Sequence, residues 1–139
     1  MLAKIGIKVN LVAQSRGPHF TLIQKNPPET EFYLVGWGVP TYDSQYIFSF
    51  LYHSRSGSDG SWNATRYSNA GVDKAIQGLN SEIDTAKRNA TIASIWKTVS
   101  DETNYIALHH QMLAYAMKSD LDIPVSPENT VFIKFIAAK

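Results

Sequence analysis

Trp37 stands between two residues without side chains in the run Leu34-Val-Gly-Trp-Gly-Val-Pro40. A strand that ends this way leaves a large flat indole at its carboxyl end, beside backbone that a bound molecule can approach closely at Gly36 and Gly38. In open α/β sheets ligands sit outside the carboxyl ends of the strands. Indole supplies apolar area and one N–H donor, which needs an acceptor when it is buried. The chemistry on offer is therefore recognition rather than reaction. Val39 and Pro40 complete the turn, Tyr42 precedes the next helix and Asp43 opens it, while Trp62 and Asn63 close a later glycine-containing loop and could reach the same region. A tryptophan packed into the core at a strand end is the structural alternative for Trp37.

Other reactive side chains are not arranged for catalysis. His109 and His110 are adjacent, with His53 and His19 far away in sequence. A zinc or nickel site needs at least three converging ligands, and neighbours on a strand point to opposite faces, so the pair does not make one. The chain contains no Gly-x-Ser-x-Gly elbow, Walker loop or His-Glu-x-x-His helix. We expect neither an enzyme nor a bound cofactor.

The elements that must position Trp37 follow from periodicity. Ile5, Ile7, Val9 and Leu11 alternate with polar or small residues, which predicts a half-buried strand. Gly17-Pro18 opens a short helix carrying Phe20, Leu22 and Ile23, and Asn26-Pro27-Pro28 ends it. Phe32 to Trp37 reads as a buried strand, and a helix runs from about Asp43 to His53, its Tyr46, Phe48, Phe50 and Tyr52 chiefly core. The stretch 54–63 is a loop. Asn69 caps a helix with Val72, Ile76, Leu79 and Ile83 on one face. Asp84 caps another with Ile92, Ile95, Trp96 and Val99. Tyr105 to Met117 predicts two short strands or a strand and its continuation, Leu121 to Asn129 a linker with Pro124 and Pro127, and Val131 to Ile136 a last strand. This order predicts an α/β fold, a sheet flanked by helices.

The segment from Leu34 to His53, with Arg66-Tyr-Ser-Asn-Ala-Gly-Val-Asp-Lys-Ala-Ile76, resembles the C-terminal lobe of the solute-binding proteins of ABC importers, in the oligopeptide/dipeptide/nickel-type family. The resemblance runs from Leu2 to about Leu121. It implies a type II periplasmic-binding-protein-like lobe, a mixed sheet flanked by helices, over residues 1–121. Residues 122–139 would be a tail that returns to a first lobe. It further implies one wall of a cleft that captures a peptide or similar small solute for a membrane permease, in the periplasm or on an extracytoplasmic anchor. Trp37 would line that cleft, and the backbone of Gly36, Gly38 and Val39 would bond the ligand. Peptide-binding relatives read Gly-Trp-x-x-Asp, the aspartate holding an α-ammonium. Here that position is Pro40, which has neither charge nor N–H. Asp43 matches a different family aspartate, at a helix start.

Composition agrees with a single globular domain: 139 residues, 44% hydrophobic and 18% charged. A net charge of +1 gives no reason to expect nucleic acid as a partner. With no cysteine there are no disulfides or thiolate metal sites. Met1-Leu-Ala-Lys-Ile-Gly-Ile lacks the features of an export signal, which suggests a portion of a longer protein. The apolar tail strand, without its usual sheet, could recruit a second copy or fold back on this lobe. An α/β enzyme, and an interaction module using the aromatic patch from Trp37 to Phe50, are the rival readings.

Overall fold

A computed structural model describes residues 2–25, 29–30, 32–126 and 129–139. Asn26-Pro27-Pro28, expected to end the first helix, and Pro127 of the expected linker lie outside the described residues. The elements are α1 (Arg16–Ile23), α2 (Ser44–Ile47) continued by a π-turn (Phe48–Tyr52), α3 (Ala70–Gly78), α4 (Thr85–Asp101), β1 (Leu121–Asp122) and β2 (Ala137–Ala138). Single 3₁₀ turns occupy Leu2–Ile5 and Ile133–Phe135. The fold is α/β in the coarse sense: helices plus one two-stranded sheet. Among the described residues no helix is long and apolar enough to cross a membrane.

Helices α2, α3 and α4 begin where short polar side chains bond their first free N–H groups. Asp43 accepts from Gln45 N, Asn69 from Gly71 N and Val72 N, and Asp84 from Ala86 N and Lys87 N. Their apolar stripes meet in one core of Phe48, Leu51, Tyr52, Val72, Ile76, Leu79, Ile95 and Val99. Ile92 and Trp96 pack against it partly buried. Ile83, expected on the α3 face, is 96% exposed because α3 stops at Gly78 and the helical phase ends with it.

The π-turn is tied to the loop behind it. His53 N bonds Phe48 O at 2.9 Å, a five-residue span. Gly60 N then reaches Ser49 O at 2.8 Å and Trp62 N reaches Phe50 O at 3.0 Å. Gly60 has φ +63°, and a Cβ there would collide with the His53 carbonyl. Only glycine fits this contact.

The expected strands are where sequence and structure part. Residues 6–15, 32–39 and 104–118 form no helix and no ladder. Ile5, Ile7, Val9 and Leu11 are all exposed, as are Ile106, Leu108 and Met112. In place of a strand over Val131–Ile136 there is the 3₁₀ turn Ile133–Phe135. Alternation prepares one face for burial, but a strand exists only where a second backbone accepts its hydrogen bonds. Among the described residues the one ladder is antiparallel, Leu121 against Ala138 and Asp122 against Ala137, with Lys139 N on Asp120 O at 2.8 Å. Part of the expected linker is thus β1, and within the chain the tail closes back on the residues where it starts.

Candidate functional site

Residues 32–39 lie across the front of the core. Tyr33, Val35, Trp37 and Val39 are half-buried, while Phe32, Leu34, Gly36 and Gly38 are exposed. Trp37 is thereby turned inward, onto the aromatic face of α2 and its π-turn. Its ring centroid lies 6.3 Å from Tyr46, 6.1 Å from Phe50 and 5.7 Å from Trp62. Phe20 of α1 closes the group, edge-on to Trp62 at 5.1 Å and 85°. Such tilted and edge-to-face pairs contribute about 0.5–1.5 kcal/mol each beyond area burial. Trp37 Nε1 is buried and has no hydrogen-bond partner among the described residues. A buried indole N–H without an acceptor costs about 1–3 kcal/mol, so an acceptor that reaches it when the surrounding rings shift is favoured.

The glycines on either side leave the backbone open. A Cβ built on Gly36 or Gly38 meets nothing within 4 Å, so packing within the chain does not require glycine at either position. The turn follows at once: Tyr42 N bonds Val39 O at 3.0 Å, with Pro40 exposed between them. Tyr42 has φ 55°, a left-handed conformation rare for a bulky residue, and is 64% exposed.

Asp43 is committed within the fold. Arg88 of α4 donates from one guanidinium nitrogen to Oδ1 at 3.0 Å and forms an ion pair with Oδ2 at 2.9 Å, while Gln45 N bonds Oδ1 at 2.8 Å. The Arg88 hydrogen bond, followed by the one from Gln45, holds this carboxyl below the usual carboxylate range. Further along α4, Trp96 Nε1 donates to Ser44 Oγ at 3.2 Å. A ligand ammonium at Asp43 would have to compete with a guanidinium already in place.

Asn63 is fully buried, away from any rim. Its Nδ2 donates to His53 O (3.0 Å) and Tyr67 O (2.7 Å), and its Oδ1 accepts from Tyr67 N (3.0 Å) and Thr65 Oγ1 (3.1 Å). The amide is saturated, so it clasps the loop between residues 53 and 67 and has nothing left for a ligand. His53 completes the clasp. Its Nδ1 faces the Ser54 carbonyl at 2.7 Å and so carries the proton, which leaves Nε2 to accept from Gln77 Nε2 at 3.1 Å. Sequence reading missed this role because it depends on contacts across the loop.

The structure therefore brings Trp37 and Trp62 together and adds Phe20, Tyr46 and Phe50. Asp43 and Asn63 are held in internal bonds. Phe20 was legible only as an apolar helix position. At the start of the same 32–39 segment, the Tyr33 hydroxyl meets that of Tyr105 at 3.1 Å. Burial first, then this bond, raises the Tyr33 phenol above its ordinary value. Burial likewise pushes Tyr52 up to about 12.

Two open grooves, of about 400 and 240 Å³, run along α3 and α4. Neither is lined by any residue expected at the site. His109 and His110 are both exposed. Among the described residues no three His, Asp or Glu side chains converge as a metal would require. No protein-family model matches the chain, and no curated protein or solved structure matches it.

Proposed function

We propose that this chain is a solute-recognition domain, the C-terminal lobe of an extracytoplasmic binding protein that delivers a peptide or similar small solute to the permease of an ABC importer. The finer architecture belongs to the same proposal: a periplasmic-binding-protein-like lobe whose sheet is completed in the working protein. The observation that supports this reading is Trp37. Its indole caps an aromatic group, its N–H lacks an acceptor, and the flanking glycines leave adjacent backbone open. A carbonyl or carboxylate of a solute would take the N–H, while its apolar portion packs on Trp37 and Trp62. With Pro40 at the turn and Asp43 paired to Arg88, the wall holds no carboxylate free to hold an ammonium. It therefore favours solutes recognised by acceptors and apolar area over those recognised by a free amine.

One wall offers about half the enclosure of a two-lobed cleft, so binding to this chain alone is weak. Amide NMR chemical shifts followed during titration with N-acetylated and free-amine peptides test the reading. We expect a saturable shift at high micromolar to millimolar solute, larger for the acetylated series and absent in Trp37→Phe, which keeps the ring but loses the donor. A Trp37→Phe response equal to that of the parent, or no response to any member of either series, would overturn the assignment.

A further inference from the structure

The chain exposes 10633 Å² of surface. A compact monomer of 15.5 kDa exposes about 7,200 Å² on the usual scaling. The difference exceeds the roughly 800 Å² that each partner covers in a standard interface. Large apolar side chains outside the helices contribute to it, Phe32 and Leu34 being each 70% exposed.

The segment Phe32–Gly38 has a particular edge to offer. In an extended chain the N–H and C=O of alternate residues point to opposite sides. On the side of the even-numbered residues, Thr30 Oγ1 donates to Phe32 O at 3.1 Å and His19 Nε2 bonds Leu34 O at 2.9 Å. On the other side, the backbone groups of Tyr33, Val35 and Trp37 make no hydrogen bond among the described residues. No charged residue occurs between Phe32 and Tyr42. Edge strands are ordinarily protected by lysine, proline or a bulge, and this one is not.

We propose that two copies of this chain pair antiparallel through this edge, about a two-fold axis at Val35. The register is self-complementary. Val35 faces its own copy, and Tyr33 faces Trp37 of the second copy, each pair exchanging both N–H···O bonds on the side left open. On the outer face Leu34 lies over Gly36 of the second copy and Phe32 over Gly38, a large side chain covering a bare glycine each time. This accounts for glycine at two positions where nothing within the chain requires it. With no charge near the axis, like residues do not repel across it. The proposal rests on backbone at the edge and not on the indole N–H, and because the second copy covers Gly36 and Gly38, pairing and solute capture at this segment exclude one another.

The chain has no cysteine, so single thiols report the register directly. Light scattering should give twice the chain mass for the parent and the single mass for Val35→Pro, which removes the N–H at the axis. Far-UV circular dichroism should show the α3 and α4 helices retained. Val35→Cys should crosslink efficiently with a short bismaleimide. Val39→Cys should not, because eight residues of about 3.4 Å separate it from its copy in this register. A parent that stays monomeric on concentration, a dimer that survives Val35→Pro, or equal crosslinking at positions 35 and 39 would each overturn the proposal. Should Val35→Pro fail to fold, the crosslinking pair decides alone.

Discussion

Replacing Asn63 by alanine should be among the most damaging polar substitutions in this chain. The side chain is 0% exposed and serves four partners. Thr65 is exposed and can turn its hydroxyl to water. Tyr67 N, Tyr67 O and His53 O lose their partner inside the loop. At roughly 1 kcal/mol for each buried group left unpaired, the loss is about 3 kcal/mol, reduced where a water enters the space. For a chain of this length that lowers the melting temperature by on the order of 10 °C. Urea unfolding should show the midpoint displaced with the slope unchanged, the signature of lost stability without a change in the surface exposed. Asn63→Asp should be worse than Asn63→Ala at neutral pH, because a carboxylate only accepts and would face two carbonyl oxygens. A loss within about 0.5 kcal/mol, the ordinary range for surface sites, would refute the clasp.

Asp43→Ala should cost about 1 kcal/mol through the lost helix cap. Because the Asp43 pKa is lowered in the folded chain from its ordinary 3.8, its contribution is fully present above that value and is lost as pH falls through the lower folded one. Asp43→Asn keeps the cap and should flatten this acid limb of a melting-temperature profile, whereas an unchanged limb would mean that the Arg88 pair is too solvated to count. Gly57 and Gly60 both have positive φ, yet only Gly60 has backbone where a Cβ would stand. Gly57→Ala should cost about 1–2 kcal/mol for the conformation alone, and Gly60→Ala clearly more. Denaturant midpoints of the two variants measure this, and equal losses would contradict the packing of the loop against the π-turn.

Helix starts were legible because a cap is a local event. Asp43, Asn69 and Asp84 bond N–H groups two or three residues away, and no distant part of the chain can change that. The stripe Ile92, Ile95, Trp96, Val99 likewise reads directly as a face, since a helix satisfies its own backbone. Ile5 to Leu11, Phe32 to Trp37 and Tyr105 to Met117 were equally clear as patterns. A pattern of period two, however, does not name the backbone that must pair with it, and here the chain supplies none among the described residues. Trp37 could be singled out from its glycine neighbours, but its company could not. Phe20 and Trp62 are 42 residues apart, and Arg88 finds Asp43 across 45. That Asp43 is spent on a guanidinium, that Asn63 is buried and saturated, and that the Trp37 indole N–H is left without an acceptor are all consequences of which surfaces meet. Hydrogen-bonding capacity is a property of a side chain, but whether it is used up depends on tertiary contacts.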